Sequence, residues 1–475
     1  MQYAQRDLQS KAILVTCMDW IPTISEWQGP VYLRIVDALA ADIASGRLHR
    51  GQQMPTHRAL AATLKLDLTT VTRAYGEARR RGLLDARVGR GTFVSETSAR
   101  APADIAFQIK VDLSMNVPPQ PMEADLDMRI ARGLKSIQDQ SSFSAYLNYT
   151  RPGGSDEERE VAAKWLRTRV PNASADRLII YPGNQAILFN ALLALTAPGD
   201  VVLTEAFTFP GIKAAAEKLR VHLIGVPMDA EGVQPDALRR ACKQHNPKAV
   251  YLTPTLHNPT TATLSPERRK AIAGIIRKAG TFLIEDDAYG MLEPAASPIA
   301  NLISERTYLA VGLSKCIAPA LRVSYLLVPD AAAELTLRSN LQATTLMPAP
   351  LMVALVTHWL RSGVANQIIQ AVRNEAAGRQ KLAAKFLKGL PFATQPNSHH
   401  LWLSLPRHWN SRGFLSHVAR HGMALVGEDT FAVGDTSSHA VRVSLGAARN
   451  RAELATALQF LAAAMRSSVA SLQIV

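Results

Sequence analysis

A chain of 475 residues, 47% hydrophobic, 19% charged and 6% aromatic, has the composition of an ordinary globular protein, which excludes disorder throughout and any fibrous design; at roughly 100 to 200 residues per domain it holds two to four domains. Its 53 Lys plus Arg against 39 Asp plus Glu leave +14 and a pI near 9.8, a balance suited to an anionic partner, nucleic acid and phosphate compounds first. Cys17, Cys242 and Cys316 are too few and too scattered for a disulfide framework or a CxxC metal site and fit a reducing cytoplasm, and no 18-residue apolar run predicts a membrane span.

Residues 1–28 read as an N-terminal extension, of which residues 1–17 are either an over-long start or a tail; Ala12–Cys17 is too short for a signal core. Val31, Ile35, Leu39 and Ile43, spaced by four, predict the apolar stripe of a first helix that Gly46 closes. After Pro55, Thr56 is the expected N-cap of a short second helix with Leu60 and Leu64 inward. Asp67 then caps a third helix that turns Val71, Tyr75 and Ala78 inward and Thr69, Thr70 and Arg73 outward. Two short helices joined tightly, the second polar on its outer face, predict a helix-turn-helix whose second helix enters a major groove. In RVGRGTFVSE, Arg87 and Arg90 flank Gly89 and Gly91 in a hairpin from which they reach phosphate or a minor groove. Residues 50–91 hold nine Lys plus Arg and three Asp plus Glu, +6 of the total charge. Each piece alone reads as well as a solvated helical hairpin.

Residues 97–110, poor in apolar period and containing Ser, Ala and Pro, predict a linker. Beyond it, apolar runs alternate with helical patterns, at Arg177–Tyr181, Val201–Leu203, Val221–Val226, Ala249–Thr253, Phe282–Ile284 and Tyr308–Val311, which predicts an α/β domain with a mainly parallel sheet. Ligands in such sheets sit at the strands' carboxyl ends. Gly183, Asn184 and Gln185 follow the first strand and open a helix suited to phosphate, Phe209 lies in a loop after the second, and Asn258 precedes a proline after the fourth. A plain turn or a buried anchor explains each of these as well. EDDAYG places three adjacent acids before Tyr289, a cost that a cation or a protonated nitrogen would relieve. In VGLSKCIAPALRV, Ser314 and Lys315 end a strand and Arg322 follows, a nucleophilic amine beside phosphate ligands. A Schiff-base lysine, a carboxylate for a pyridine nitrogen, a phosphate cup and a stacking ring in one order are the requirements of pyridoxal phosphate.

Two resemblances extend this reading. GxLxxGxxxPxxRxLA from Gly46, then TTVTRAY, then RGTFV resemble the winged-helix domain of GntR-type bacterial regulators, which implies a DNA-binding domain over 29–96 with contacts by Arg58, Thr69, Thr70, Arg73, Arg87 and Arg90. Leu68 departs from the basic or polar residue often found there. Residues 111–475 resemble a fold-type I, aspartate aminotransferase-like domain. That likeness implies that Lys315 carries the cofactor as an internal aldimine, that Asp286 meets the pyridine nitrogen, and that Asn258 and Tyr289 bond the ring hydroxyl oxygen. It assigns the phosphate to Ser314, Arg322 and the backbone of Asn184 and Gln185, the stacking place to Phe209, a cross-dimer phosphate contact to Tyr149, and a ligand α-carboxylate to Arg442. Phe209 stands where many relatives have Tyr, and Gly312 where many have Ser or Thr. The whole layout resembles the MocR subgroup of GntR-type regulators. It implies a cytoplasmic homodimer that binds a double-stranded DNA operator, carries pyridoxal 5'-phosphate and senses an amine or amino acid by aldimine exchange. The alternative is an active aminotransferase with an accessory DNA-binding domain. His399 and His400 read as strand or loop residues, and no metal site is expected.

Overall fold

The first helix, α1 (Val31–Ala44), buries Ile35 and Leu39 and half-buries Val31 and Ile43, the stripe set by their spacing; Gly46, at φ +78°, ends it. This computed structural model describes residues 20–22, 31–49, 51–80, 83–87, 91–95 and 111–466, and the chain divides into two compact units, 1–108 and 109–475. In the first unit, α2 (His57–Leu64) starts at Thr56, whose hydroxyl accepts the Ala59 N–H at 3.2 Å. Helix α3 (Leu68–Arg80) buries Val71, Tyr75 and Ala78, and the Asp67 carbonyl oxygen receives the Thr70 and Val71 N–H groups of its first turn. Tyr75, buried, donates its hydroxyl to the Pro55 carbonyl at 2.9 Å, which ties α3 to the start of α2. Leu84–Arg87 pairs antiparallel with Gly91–Val94, the expected hairpin, whose tip at residues 88–90 lies outside the described residues.

The second unit is built on a seven-stranded sheet, in the order Leu178–Tyr181, Ser324–Leu327, Thr307–Gly312, Phe282–Asp286, Ala249–Leu252, Val201–Glu205 and His222–Val226. Successive residues serve opposite faces: Leu178 and Ile180 join one apolar core while Ile179 and Tyr181 join another, and Leu309 and Val311 alternate with Tyr308 and Ala310 in the same way. Burial on both faces is why these strands read as continuous apolar runs rather than alternating ones. The strands start and end within two residues of expectation, with one correction: Ser324–Leu327, absent from the expected set, is a strand antiparallel to both neighbours. A second, four-stranded antiparallel sheet joins Phe392–Ala393, His400–Ser404, Ala440–Ser444 and Val426–Gly427 and was not separately anticipated.

Candidate functional site

In the first unit the outer face of α3 is set by what its inner face buries. Thr69 and Arg73 are exposed and Thr70 is half-buried, and Arg58 is exposed on α2. Arg73 does not hang free: its guanidinium lies 4.6 Å over the Tyr32 ring of α1, which preorganises it. Leu68 opens α3 at 45% exposure, an apolar side chain among the polar ones. Arg87 ends its strand opposite Gly91, and Arg90 lies outside the described residues.

In the second unit the parallel strands all end at one edge of the sheet. Because Ser324–Leu327 runs the opposite way, Arg322, two residues before it, reaches that same edge. Asn184, Gln185, Phe209, Asn258, Asp286, Tyr289, Ser314, Lys315 and Arg322 consequently line one cavity of about 120 Å³, with Thr253, Ala288 and Gly312 completing it. Asn184 and Gln185 open the helix Asn184–Leu195, whose N-terminal N–H groups and dipole favour an anion. Gly183 precedes it at φ +101°, and a Cβ there would lie 2.7 Å from the Arg322 guanidinium carbon, so only glycine lets that cation close on the turn. Phe209 stands immediately before the helix Pro210–Leu219.

The three acids of EDD have three different fates. Glu285 accepts the Ile299 and Ala300 N–H groups at 2.9 and 2.8 Å, and burial pushes it up to about 7. Asp287 accepts both ends of the Arg169 guanidinium, a fully buried ion pair. Asp286, which faces the cavity, meets neutral donors among the described residues: Asn184 Nδ2 at 2.8 Å on one oxygen, the Tyr251 hydroxyl at 2.9 Å on the other, and the Ala288 N–H. Burial raises its pKa, and those hydrogen bonds oppose the rise. The cation anticipated for the triplet is thus Arg169 for Asp287, while Asp286 is paired with none among the described residues.

Opposite it, the Lys315 ammonium meets the Asn116 carbonyl at 2.5 Å and no carboxylate among the described residues. Burial first, and then the charge of Arg442, bring its pKa down to about 8. Arg442, in the strand Ala440–Ser444, is buried rather than an exposed strand residue. It donates to Asn258 Oδ1 at 2.8 Å and to the Ser114 carbonyl, lies 4.9 Å over the Phe431 ring, and is lowered to about 10 by burial. It too meets no carboxylate among the described residues. Tyr149 is 83% exposed and does not line the cavity.

Several residues here have no motif. Asn116 donates to the Tyr289 hydroxyl at 2.8 Å and approaches His400 Nδ1 at 3.0 Å. His400 Nε2 lies 3.1 Å from the His257 carbonyl and His399 Nε2 2.6 Å from the Lys315 carbonyl, so each ring carries its proton on Nε2. Burial holds His399 down to about 4 and His257 to about 3, so both are neutral. His400 opens a strand of the small sheet, and the His399 ring buttresses the lysine segment while that of His400 ties the segment after the fourth strand to Asn116. For Tyr251 a usable signal existed: a tyrosine in a wholly buried strand needs a partner for its hydroxyl.

The chain matches the family aminotransferase class I and II over residues 108–461 and the gntR family of bacterial regulatory proteins over residues 31–94. It is 29% identical over 449 residues to an uncharacterized HTH-type transcriptional regulator, YdeF, of Bacillus subtilis, covering 94% of this chain and 96% of that one. It is also 29% identical to the vitamin B6 salvage pathway transcriptional repressor PtsJ of Salmonella typhimurium, over 86% of this chain and 93% of that one. Among solved structures, the α-aminoadipate aminotransferase LysN of Thermus thermophilus, complexed with N-(5'-phosphopyridoxyl)-L-leucine, superposes with a TM-score of 0.68 at 22% identity, over 75% of this chain and 92% of that one. The kynurenine aminotransferase of Pyrococcus horikoshii gives 0.69 at 22%, over 75% and 90%. The chain belongs to the aminotransferase class I and II family and joins that domain to an N-terminal domain of the gntR family, the layout of the MocR subgroup.

Proposed function

We propose that this protein is a cytoplasmic, homodimeric transcription regulator that binds a double-stranded DNA operator through residues 29–96. Residues 111–475, joined by 97–110, hold pyridoxal 5'-phosphate and sense an amine or amino acid. The observation that carries the reading is one cavity walled by a buried carboxylate and an amine, neither of which is ion-paired among the described residues, in the same chain as a polar-faced α3.

The residues fit the cofactor. Asp286 is a buried anion with one face open to a ring nitrogen, and the Gly183 turn, Ser314 and Arg322 form a cradle for a dianion. Pyridoxal 5'-phosphate supplies an aldehyde that condenses reversibly with primary amines. Lys315, with its proton held loosely, is the amine in place to meet it. Tyr289 accepts from Asn116, which leaves its own hydrogen to donate to the ring oxygen, and Asn258 keeps its amide N–H groups for the same oxygen because its Oδ1 is engaged by Arg442. Phe209 covers the ring. Arg442, buried and without a carboxylate, forks onto the carboxylate of an incoming amino acid. Tyr149, exposed here, reaches the partner subunit's site. On the DNA side the contacts assigned to Thr69, Thr70 and Arg73 are base edges, and those assigned to Arg58, Arg87 and Arg90 are phosphates or the minor groove.

One observation favours the second reading, an active aminotransferase: a lysine brought down to about 8 also suits a proton-shuttling base. The deciding experiment follows DNA binding and visible absorbance together while purified, cofactor-loaded protein is titrated with amines and amino acids. Sequence-selective binding that changes as the absorbance changes supports the regulator. Robust turnover with keto acids and no selective DNA binding supports the enzyme.

A further inference from the structure

Gly312 has no backbone reason to be glycine. Its φ is outside the left-handed region, and it ends a regular buried strand. What it faces is Asn184: a Cβ at Gly312 would overlap the Asn184 amide, lying 2.9 Å from its Cγ. That amide donates 2.8 Å to Asp286 Oδ1, while its own Oδ1 is fully buried and has no partner. The Tyr251 hydroxyl holds the other Asp286 oxygen at 2.9 Å. The sequence reading gives Asn184 a backbone contact to phosphate; its side chain points to the opposite end of a cofactor.

We propose that Asn184 is a positioning residue for the ring-nitrogen contact: its amide, with the Tyr251 hydroxyl, fixes the plane of the Asp286 carboxylate, and Gly312 is the notch that admits the amide. The inference rests on the cofactor reading above. It explains why glycine and not a hydroxyl side chain stands three residues before Lys315: the space that a side chain at 312 would fill belongs to Asn184. The Asp286 carboxylate is held by neutral donors, the Asn184 amide and the Tyr251 hydroxyl together with the Ala288 N–H, so its charge is left for a protonated ring nitrogen and Asn184 acts on the cofactor through Asp286. One short helix-opening residue thereby links the phosphate end of the site to the nitrogen end.

The test uses the full chain and added pyridoxal 5'-phosphate, read by the affinity for the cofactor and by the pH midpoint of the bound cofactor's visible band. Gly312→Ser alone is expected to weaken cofactor binding about ten-fold or more, the scale of losing a hydrogen bond to a charged group. Asn184→Ser is expected to shift the pH midpoint. The double variant Asn184→Ser/Gly312→Ser is expected to bind more tightly than Gly312→Ser alone, because the overlap is relieved. Additive losses in the double variant overturn the notch, and a wild-type pH midpoint in Asn184→Ser overturns the positioning role. If Gly312→Ser does not fold, the Asn184→Ser pH profile decides alone. A wild-type protein that develops no visible band with the cofactor overturns the cofactor reading itself, whereas a wild-type band with an unmoved variant overturns only this inference.

Discussion

The ionisation of Lys315 gives the sharpest quantitative expectation. Burial, and then the Arg442 charge, lower it from 10.5 to about 8, while Asp286 pulls the other way. At pH 7.5 an amine with a pKa of about 8 is roughly one quarter neutral, against about one in a thousand for an ordinary lysine, a gain of roughly 200-fold in the nucleophilic form. The rate at which cofactor-free protein takes up pyridoxal 5'-phosphate, followed by absorbance in stopped flow across pH 6 to 10, should rise to a plateau with a midpoint near 8. Arg442→Gln removes a neighbouring cation and should move that midpoint upward. The same depression has a sign for stability: between about 8 and 10.5 the unfolded chain holds a proton that the folded chain has released, so this group adds stability as pH rises through that window. A midpoint at the ordinary lysine value, or one unmoved by Arg442→Gln, refutes the electrostatic account of the site.

Arg442→Gln should also weaken the response to amino acids by about 10- to 150-fold, the range for a hydrogen bond to a charged group, while an amine without a carboxylate loses far less; absorbance titrations of the two ligand classes compare them. Arg169→Met leaves Asp287 buried without its cation and should cost about 3–5 kcal/mol in urea unfolding, with much of the loss recovered in Arg169→Met/Asp287→Leu; a change within experimental error denies the ion pair its structural weight. Removing the exposed Arg58 by Arg58→Ala should lower the slope of log K against log salt for DNA by about 1 and leave sequence preference intact, measured by fluorescence anisotropy at several salt concentrations.

Periodicity located most elements because burial writes it directly: Ile35 and Leu39 face the first core, and the strands around Ile180, Leu203 and Ile284 are apolar because both faces are covered. Strand direction leaves no such trace. Ser324–Leu327 is as fully buried as the strands on either side of it, to both of which it runs antiparallel, and it is its reversal that brings Arg322 to the cavity. The nine residues that the motifs pointed to along the cavity do line it together, since the strand ends and turns that carry them meet at one edge of a single sheet. What remained hidden was tertiary. Asn116 meets Tyr289 across 173 residues and Arg169 meets Asp287 across 118, and nothing local in either segment announces the partner. Asn184 illustrates the limit from the other side: its place was evident from the turn that it follows, but the direction of its amide depends on Asp286, 102 residues away in the chain, and on Gly312 beyond it.

The central claim is that Lys315 is the amine that carries the cofactor. Borohydride reduction of protein loaded with pyridoxal 5'-phosphate, followed by peptide mass spectrometry, should place a pyridoxyl group on the Lys315 side chain and leave the other lysines unmodified. An unmodified Lys315 peptide, or an adduct found on a different lysine, would contradict the account.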